Sequence, residues 1–159
     1  MKELRQNIKD EKEQNIADEL SESIKDAVWV AKALFDRNKV TGSAANLSFR
    51  LGESIYISGS GTCFGRLSAE SFAAIDLEGK LIKENSNRLS ANKISPSKEY
   101  PIHLMIYQQY ENVRAVIHTH SFYSTLWSCL PDINPDDALP SITPYLQMKV
   151  GKIALVPYA

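Results

Sequence analysis

The sequence predicts a mixed α/β domain in which helices pack on a largely antiparallel sheet. Short runs of alternating apolar and polar residues, typical of strands, are separated by turn residues that suit hairpins. Longer segments repeat apolar residues at spacings of three and four, which is typical of amphipathic helices. Because hairpins join antiparallel neighbours, we expect a sheet of this kind with helices covering it.

Bulk composition restricts the class of protein. The chain has 159 residues, the length of a single domain, with 43% apolar and 23% charged residues as in soluble globular proteins. A net charge of −1 gives no reason to expect nucleic acid or an anionic membrane as partner. The sequence has no membrane-length apolar run and no signal-peptide pattern, which predicts a cytoplasmic protein. We expect Cys63 and Cys129 to be unpaired thiols.

The first third of the chain predicts a helix followed by a hairpin. Residues 1–15 are predicted as a polar N-terminal arm, either frayed or helical, and residues 16–159 as the main domain. An amphipathic helix is expected over about 16–37. Alternation then predicts strands at 47–51 and 54–57, joined by a tight turn.

A glycine- and serine-rich loop, Ser58–Thr62, follows the second strand. Such a loop can leave backbone N–H groups uncovered for a phosphate, although most loops of this composition are only turns. Phe72–Ile75 and Leu81–Ile82 are predicted as a second hairpin. The polar stretch 84–92 is predicted as a surface loop.

The second half alternates between helices and strands. Ser97 is a candidate N-cap of a helix that runs to about Tyr110, with Glu99 in its first turn, where a carboxylate suits the helix dipole. The elements expected after it are a strand at Ala115–Thr119, a helix at 121–129, a winding proline-rich connection at 130–147 and a last strand at Lys152–Val156.

Two histidines end the strand at Ala115–Thr119. His118 and His120 lie two residues apart, so on a strand both side chains point to one face and can reach one metal ion. Glu99 can come close to both histidines, because the helix after Glu99 carries the chain away and the following strand brings it back. Two imidazoles and a carboxylate suit zinc, with manganese or iron as alternatives. The other interpretation is two solvated histidines and a glutamate present only for the helix dipole.

Five blocks of sequence resemble the class II aldolase/adducin family, from about residue 25 onward. The family's fold is a three-layer α/β/α sandwich with a mostly antiparallel central sheet, and its members are commonly homotetramers with active sites between subunits. The resemblance therefore implies this fold and this assembly. The blocks are Gly42–Ser48, Ser58–Gly61, Ser97–Glu99, His103–Tyr107 and Ala115–Ser121.

The resemblance also implies chemistry. In the family's aldolases zinc is held by three histidines, and the metal polarises the carbonyl of a phosphorylated ketose and stabilises the enediolate. His118 and His120 match two of these ligands. Glu99 matches the acid/base, and is a metal ligand when substrate is absent. The residues that match the phosphate or substrate contacts are Asn46, Ser60, Gly61 and Ser97.

Lys98 points to one branch of the family. Aldolases usually have a second serine at this position, whereas a lysine is similar to the 3-oxo-tetronate 4-phosphate decarboxylases, as are the segments 62–67, 142–145 and 149–151. Those enzymes release carbon dioxide from a four-carbon keto acid phosphate. Lys98 would then hold the acid or the phosphate of the substrate, the alternative being a solvated surface lysine.

The chain departs from the family pattern in two respects. Ala45 stands where a glycine usually precedes the asparagine, and a positive φ there would strain the backbone. The family's third histidine ligand normally lies beyond residue 159, and no histidine follows His120. We therefore expect a domain that lacks its C-terminal part. His103 is predicted to be structural or to support the site, and not to be the third ligand.

Three functions remain open at this stage. The first is a metal-dependent decarboxylase-type lyase that acts on a phosphorylated sugar or keto sugar acid. The second is an aldolase or epimerase of the same family, acting on a sugar phosphate. The third is a non-catalytic, truncated remnant or interaction module, favoured by the absent third histidine.

Overall fold

The computed structural model describes residues 1–83, 94–140 and 142–157, and it describes the backbone but not the side chains of residues 2–5. The predicted loop at 84–92 lies outside the described residues. The chain divides into two compact units, Met1–Thr119 and His120–Ala159, which are taken separately below. In the described residues, no helix is both long enough and apolar enough to cross a bilayer.

The first unit contains a four-stranded sheet in the order β3-β2-β1-β4, and all three pairings are antiparallel. This confirms the predicted mostly antiparallel sheet. Two short 3-10 helices, Phe64–Arg66 and Ala69–Ser71, lead into β3. The elements are α1 (Lys2–Asp36), β1 (Ala45–Leu51), β2 (Ser54–Ser58), β3 (Phe72–Ile75), α2 (Tyr100–Gln109) and β4 (Ala115–Thr119).

Helix α1 begins well before the predicted residue 16, so residues 2–15 are helical. Side-chain pairs four residues apart support this exposed part, among them Gln6 with Asp10 and Gln14 with Asp18. Contact with the core begins only near Leu20. The amphipathic pattern therefore predicted only the part of the helix that packs on the core. The exposed first part has no apolar stripe, so the pattern could not reveal it.

The sheet buries apolar side chains on both faces, which gives the first unit three layers. On one face Phe49 stacks on Tyr56 with ring centroids 5.2 Å apart and meets Phe72 edge to face at 5.8 Å, beneath the apolar side of α1. On the other face three isoleucines of β2 and β3 pack against Tyr107 of α2. The helix–sheet–helix order confirms the predicted three-layer α/β/α arrangement.

The predicted second hairpin is only partly formed. Strand β3 is present, but Leu81 makes a single bridge to Ile75 and Ile82 donates one backbone bond to Ala74. The Asp76 side chain accepts from two backbone N–H groups of the turn. Leu81–Ile82 is therefore a short extension and not a strand, and that part of the prediction was wrong.

Helix α2 begins later than predicted. Its N-cap is Glu99, not Ser97, and Pro101 lies in the first turn, where its missing N–H is tolerated. The Ser97 hydroxyl accepts from the Glu99 N–H at 3.3 Å, and the Ser97 carbonyl accepts from the Tyr100 N–H at 3.0 Å. These bonds form a turn before the helix, and this turn places Glu99 at the helix start.

The second unit contains two short helices, α3 (Phe122–Ser128) and α4 (Pro144–Lys149). The first was predicted, whereas the second lies where we expected a winding connection; Thr143 caps it and Pro144 starts it. Cys129 of this unit and Cys63 of the first unit are both free thiols.

The predicted last strand, Lys152–Val156, is absent, and these residues carry no regular secondary structure. Two backbone bonds, from Ala138 to Ile153 and from Leu155 to Pro135, connect them to an earlier segment. That segment contains three prolines between residues 131 and 140, and prolines lack the N–H needed to continue a ladder. The predicted strand is therefore absent because its neighbouring segment cannot form a ladder with it. An alternating sequence pattern does not make a strand without a neighbour that can pair.

The aromatic contact of Phe72 with Phe49 beneath α1 predicts how a substitution at Phe72 changes stability. Phe72 is fully buried, so Phe72→Ala should lower the free energy of unfolding by about 3–5 kcal/mol through lost burial and a cavity. Trp29→Ala is the control, because Trp29 of α1 is 71% exposed and its removal should change stability by less than about 0.5 kcal/mol. Urea unfolding followed by circular dichroism measures both. Equal losses in the two variants would contradict this account of the core.

Candidate functional site

The candidate site forms where β1, β4 and the start of α2 meet. Asn46 of β1 lies directly opposite His118 of β4 in the antiparallel register, so their side chains share the sheet face that α2 covers. Glu99, the N-cap of α2, lies against both of them. Asn46 Nδ2 donates to Glu99 Oε2 at 2.5 Å, and His118 Nδ1 lies 3.0 Å from the same oxygen.

The contact between His118 and Glu99 assigns the ring proton. An ionised carboxylate only accepts hydrogen bonds, so His118 Nδ1 must carry the proton and donate to Glu99 Oε2. In the neutral ring this leaves the lone pair on Nε2, the form in which an imidazole binds a metal. A carboxylate that receives the other ring N–H is a common support for a metal-binding histidine.

His120, the residue after β4, opens the second unit, and only Thr119 separates it from His118. Within the first unit, potential ligand atoms of Glu99 and His118 lie within 4.8 Å of each other. These two side chains are partly buried and His120 is exposed. Two imidazoles and one carboxylate form a donor set that fits a divalent metal such as zinc.

A polar cavity of about 270 Å³ adjoins Glu99. It brings together all five residues that were predicted to contact substrate or phosphate, and Ser43 and Thr62, which the sequence analysis did not single out, line it as well. The predicted residues in its wall are Asn46, Ser60, Gly61, Ser97 and Lys98.

The glycine- and serine-rich loop in this wall is held by its own backbone bonds. The Ser60 N–H donates to the Ser95 carbonyl at 2.9 Å, and the Thr62 N–H and hydroxyl both point to the Gly59 carbonyl. Gly61 has φ = +75°, a conformation that favours glycine. The Gly59 N–H also donates, to the Ser71 carbonyl at 2.8 Å. Three of the loop's N–H groups are therefore already used, and the loop is less open than its composition predicted.

Ala45 does not strain the backbone. It is the first residue of β1, and positive φ among the described non-glycine residues occurs only at Asn38 and Asp132. The glycine that usually occupies this position in the family is therefore not required here for a left-handed conformation.

Behind Asn46 lies a buried polar cluster that the sequence analysis only partly identified. His103 Nε2 contacts Asn46 Oδ1 at 2.5 Å, and Ser48 Oγ lies 2.7 Å from His103 Nδ1 and 2.8 Å from the Tyr107 hydroxyl. This agrees with the supporting role predicted for His103, whereas Ser48 and Tyr107 were missed. Their spacing was the available signal: residues 46 and 48 share a strand face, and 99, 103 and 107 share a helix face.

Burial shifts the pKa values of His103 and Tyr107 in the directions that disfavour their charged forms. The pKa of His103 is lowered to about 4, mainly by desolvation and in part by the nearby His118, while Glu99 opposes the shift. Burial also raises the pKa of Tyr107 to about 12. Both side chains are therefore neutral near pH 7.

Comparison with known proteins identifies the family. The domain described as "Class II Aldolase and Adducin N-terminal domain" matches residues 25–159, and the chain belongs to this family. The predicted resemblance is confirmed, as is the predicted fold.

Individual relatives agree with this assignment. The chain is 36% identical over 132 residues to a 3-oxo-tetronate 4-phosphate decarboxylase of Haemophilus influenzae, covering 82% of this chain and 59% of that protein. It is 39% identical over 135 residues to an L-fuculose phosphate aldolase of Methanococcus maripaludis, covering 85% of this chain and 67% of that protein.

A solved structure shows the same fold. YgbL of Klebsiella pneumoniae, whose assignment is left between aldolase, epimerase and decarboxylase, superposes with a TM-score of 0.78 at 32% identity. The match covers 88% of this chain and 64% of that one. The chain therefore spans about 60% of the length of the decarboxylases and of YgbL.

The lowered pKa of His103 predicts a pH-dependent stability. Between the ordinary value of 6.5 and about 4 the unfolded chain binds a proton that the folded chain does not, so stability falls as pH falls through this window. His103→Gln should remove about 2 kcal/mol of the loss in unfolding free energy between about pH 7.5 and pH 5. Urea unfolding at both pH values measures this.

Tyr107→Phe is the matched control, because it alters the same cluster without removing a group that titrates below pH 8. It should keep the wild-type dependence on pH. If His103→Gln keeps that dependence too, His103 is not held neutral in the folded protein.

Proposed function

We propose that the protein is a metal-dependent carbon–carbon lyase that acts on a phosphorylated sugar or keto sugar acid, in the manner of the 3-oxo-tetronate 4-phosphate decarboxylases. The observation that carries the proposal is the convergence of Asn46, Glu99 and His118 beside a polar cavity. The decarboxylase and aldolase relatives support it, because both reactions break a carbon–carbon bond near a carbonyl.

The metal would be held by His118 Nε2 and His120, with zinc preferred and manganese or iron as alternatives. Glu99 would be the third ligand in the absence of substrate, once its carboxylate leaves His118 Nδ1. A divalent cation in this position supplies a Lewis acid that polarises the substrate carbonyl and lowers the energy of the enolate formed on bond cleavage.

Glu99 is the proposed acid/base. When the bond to the carboxylate carbon breaks, carbon dioxide leaves and the electron pair stays on the carbon beside the ketone, which must then take up a proton. Glu99 is within reach of this role, because its carboxylate lies at the cavity wall. Asn46 holds Oε2 of that carboxylate, which limits the orientations that it can adopt.

Lys98 and the small residues around it are proposed to bind the anionic groups of the substrate. The exposed Lys98 at the cavity wall can attract a carboxylate or a phosphate, and Ser60, Gly61 and Ser97 can position it. A keto acid phosphate carries a carboxylate in addition to its phosphate, whereas a ketose phosphate carries only the phosphate, so an additional cation at this position suits the keto acid phosphate better.

An aldolase or epimerase acting on a sugar phosphate is the second candidate. The resemblance to the Methanococcus maripaludis aldolase favours it, since the identity there is as high as to the decarboxylase. We also extend the proposal to a homotetramer, the common assembly of the family.

Metal content tests the donor set. The purified chain should retain close to one equivalent of zinc after dialysis, and His118→Ala should lose most of it, because only one imidazole and one carboxylate would remain. His103→Gln is the matched control, since it removes an imidazole but none of the three proposed ligands. Elemental analysis that finds negligible metal in the wild type and in both variants would favour the non-catalytic remnant.

Product analysis tests the reaction. With 3-oxo-tetronate 4-phosphate we expect release of carbon dioxide, and Glu99→Gln should lower kcat by about 10²–10⁴-fold through loss of the proton donor. Lys98→Met should mainly raise KM, because it removes a binding cation. Cleavage of L-fuculose 1-phosphate without carbon dioxide release from the keto acid would instead establish the aldolase.

A further inference from the structure

A continuous chain of buried hydrogen bonds runs from Tyr107 of α2 through Ser48, His103 and Asn46 to Glu99. Ser48 and His103 are almost fully buried, as are Asn46 and Tyr107. The chain begins at the Tyr107 hydroxyl, 2.8 Å from Ser48 Oγ, and ends where Asn46 Nδ2 meets Glu99 Oε2. In the described residues no buried side-chain polar atom lacks a hydrogen-bond partner.

The Glu99 end of the chain sets its direction. An ionised carboxylate can only accept, so Asn46 must turn its NH₂ group to Glu99 and its carbonyl oxygen to His103.

The middle links then have one solution. Asn46 Oδ1 requires a proton on His103 Nε2, and the neutral ring leaves Nδ1 as an acceptor for the Ser48 hydroxyl proton. Full burial of His103, which also lowers its pKa, keeps the ring neutral as this pattern needs, and the Tyr107 hydroxyl is then left to donate to Ser48 Oγ. Every group in the chain donates in the same direction, towards Glu99.

We infer that Ser48 and His103 are positioning residues, which act through Asn46 to keep its amide donating to Glu99. An asparagine side chain can flip by 180°, and a flipped Asn46 would present an oxygen to the Glu99 carboxylate. The N–H of His103 prevents this, because it would then face the NH₂ group. The orientation stands on the structure alone, whereas its consequence for catalysis rests on the proposed function.

Two variants of one residue separate positioning from packing. His103→Gln keeps a side-chain N–H near the position of Nε2, whereas His103→Leu removes it and keeps comparable volume. Each is checked first by circular dichroism and urea unfolding, so that a variant that does not fold is not interpreted. Ser48→Ala is a second break in the chain and replaces His103→Leu if that variant does not fold.

The direct readout is nuclear magnetic resonance of the uniformly ¹⁵N-labelled chain without substrate. We expect the wild-type His103 ring to carry its proton on Nε2, and one Asn46 side-chain amide proton to be shifted downfield and protected from exchange. In His103→Gln the Asn46 signals should stay close to the wild type, and in His103→Leu they should move to ordinary positions. A proton on His103 Nδ1, or unchanged Asn46 signals in His103→Leu, would overturn the inference.

A kinetic readout tests the consequence for the lyase. With 3-oxo-tetronate 4-phosphate as probe, His103→Leu should lower kcat at least about tenfold with little change in KM, because a misplaced catalytic group slows chemistry. His103→Gln should recover most of that loss, and equal losses in both variants would contradict positioning through a donated N–H. If the wild type is inactive on this probe, the proposed function fails, while the resonance measurement still decides the orientation.

Discussion

The hydrogen bond from Asn46 to Glu99 is the contact on which the site depends, because it joins the sheet to the start of α2. A bond to a charged group contributes about 1.5–3 kcal/mol, and an unpaired buried partner would cost a similar amount. The bond exists only if β1 pairs with β4 in one register and the turn at Ser97 places Glu99 at the helix start. The site is thus specified by the pairing that forms the core.

The two faces of β1 have different roles: one contributes to the apolar core and the other to the candidate site. Leu47 and Phe49 point to α1 and belong to the apolar core. Asn46 and Ser48 point to α2 and form hydrogen bonds with its N-cap Glu99 and with His103. Because a one-residue shift of register would exchange these faces, burial of the aromatic side chains also fixes the position of Asn46. Core packing therefore positions the candidate site.

Local patterns predicted the elements that bury an apolar face and the residues with a distinctive spacing. The sheet, the docked part of α1 and the pair His118 and His120 were predicted from periodicity, and the approach of Glu99 was predicted from the order of the elements. The acid/base role of Glu99 and the individual cavity residues came from the family resemblance. The last strand was wrong because alternation does not reveal whether a neighbour can complete the ladder, and the proline-rich neighbour cannot. The link from Ser48 to His103 spans 55 residues, so only the folded chain shows it.

X-ray absorption at the zinc edge of the zinc-loaded chain tests most directly the claim that His118, His120 and Glu99 belong to a divalent-metal site. The account predicts nitrogen and oxygen neighbours at about 2.0–2.1 Å with the multiple-scattering signature of two imidazoles. One imidazole should disappear in His118→Ala. Absence of imidazole scattering, or a sulfur neighbour at about 2.3 Å from a cysteine, would contradict it.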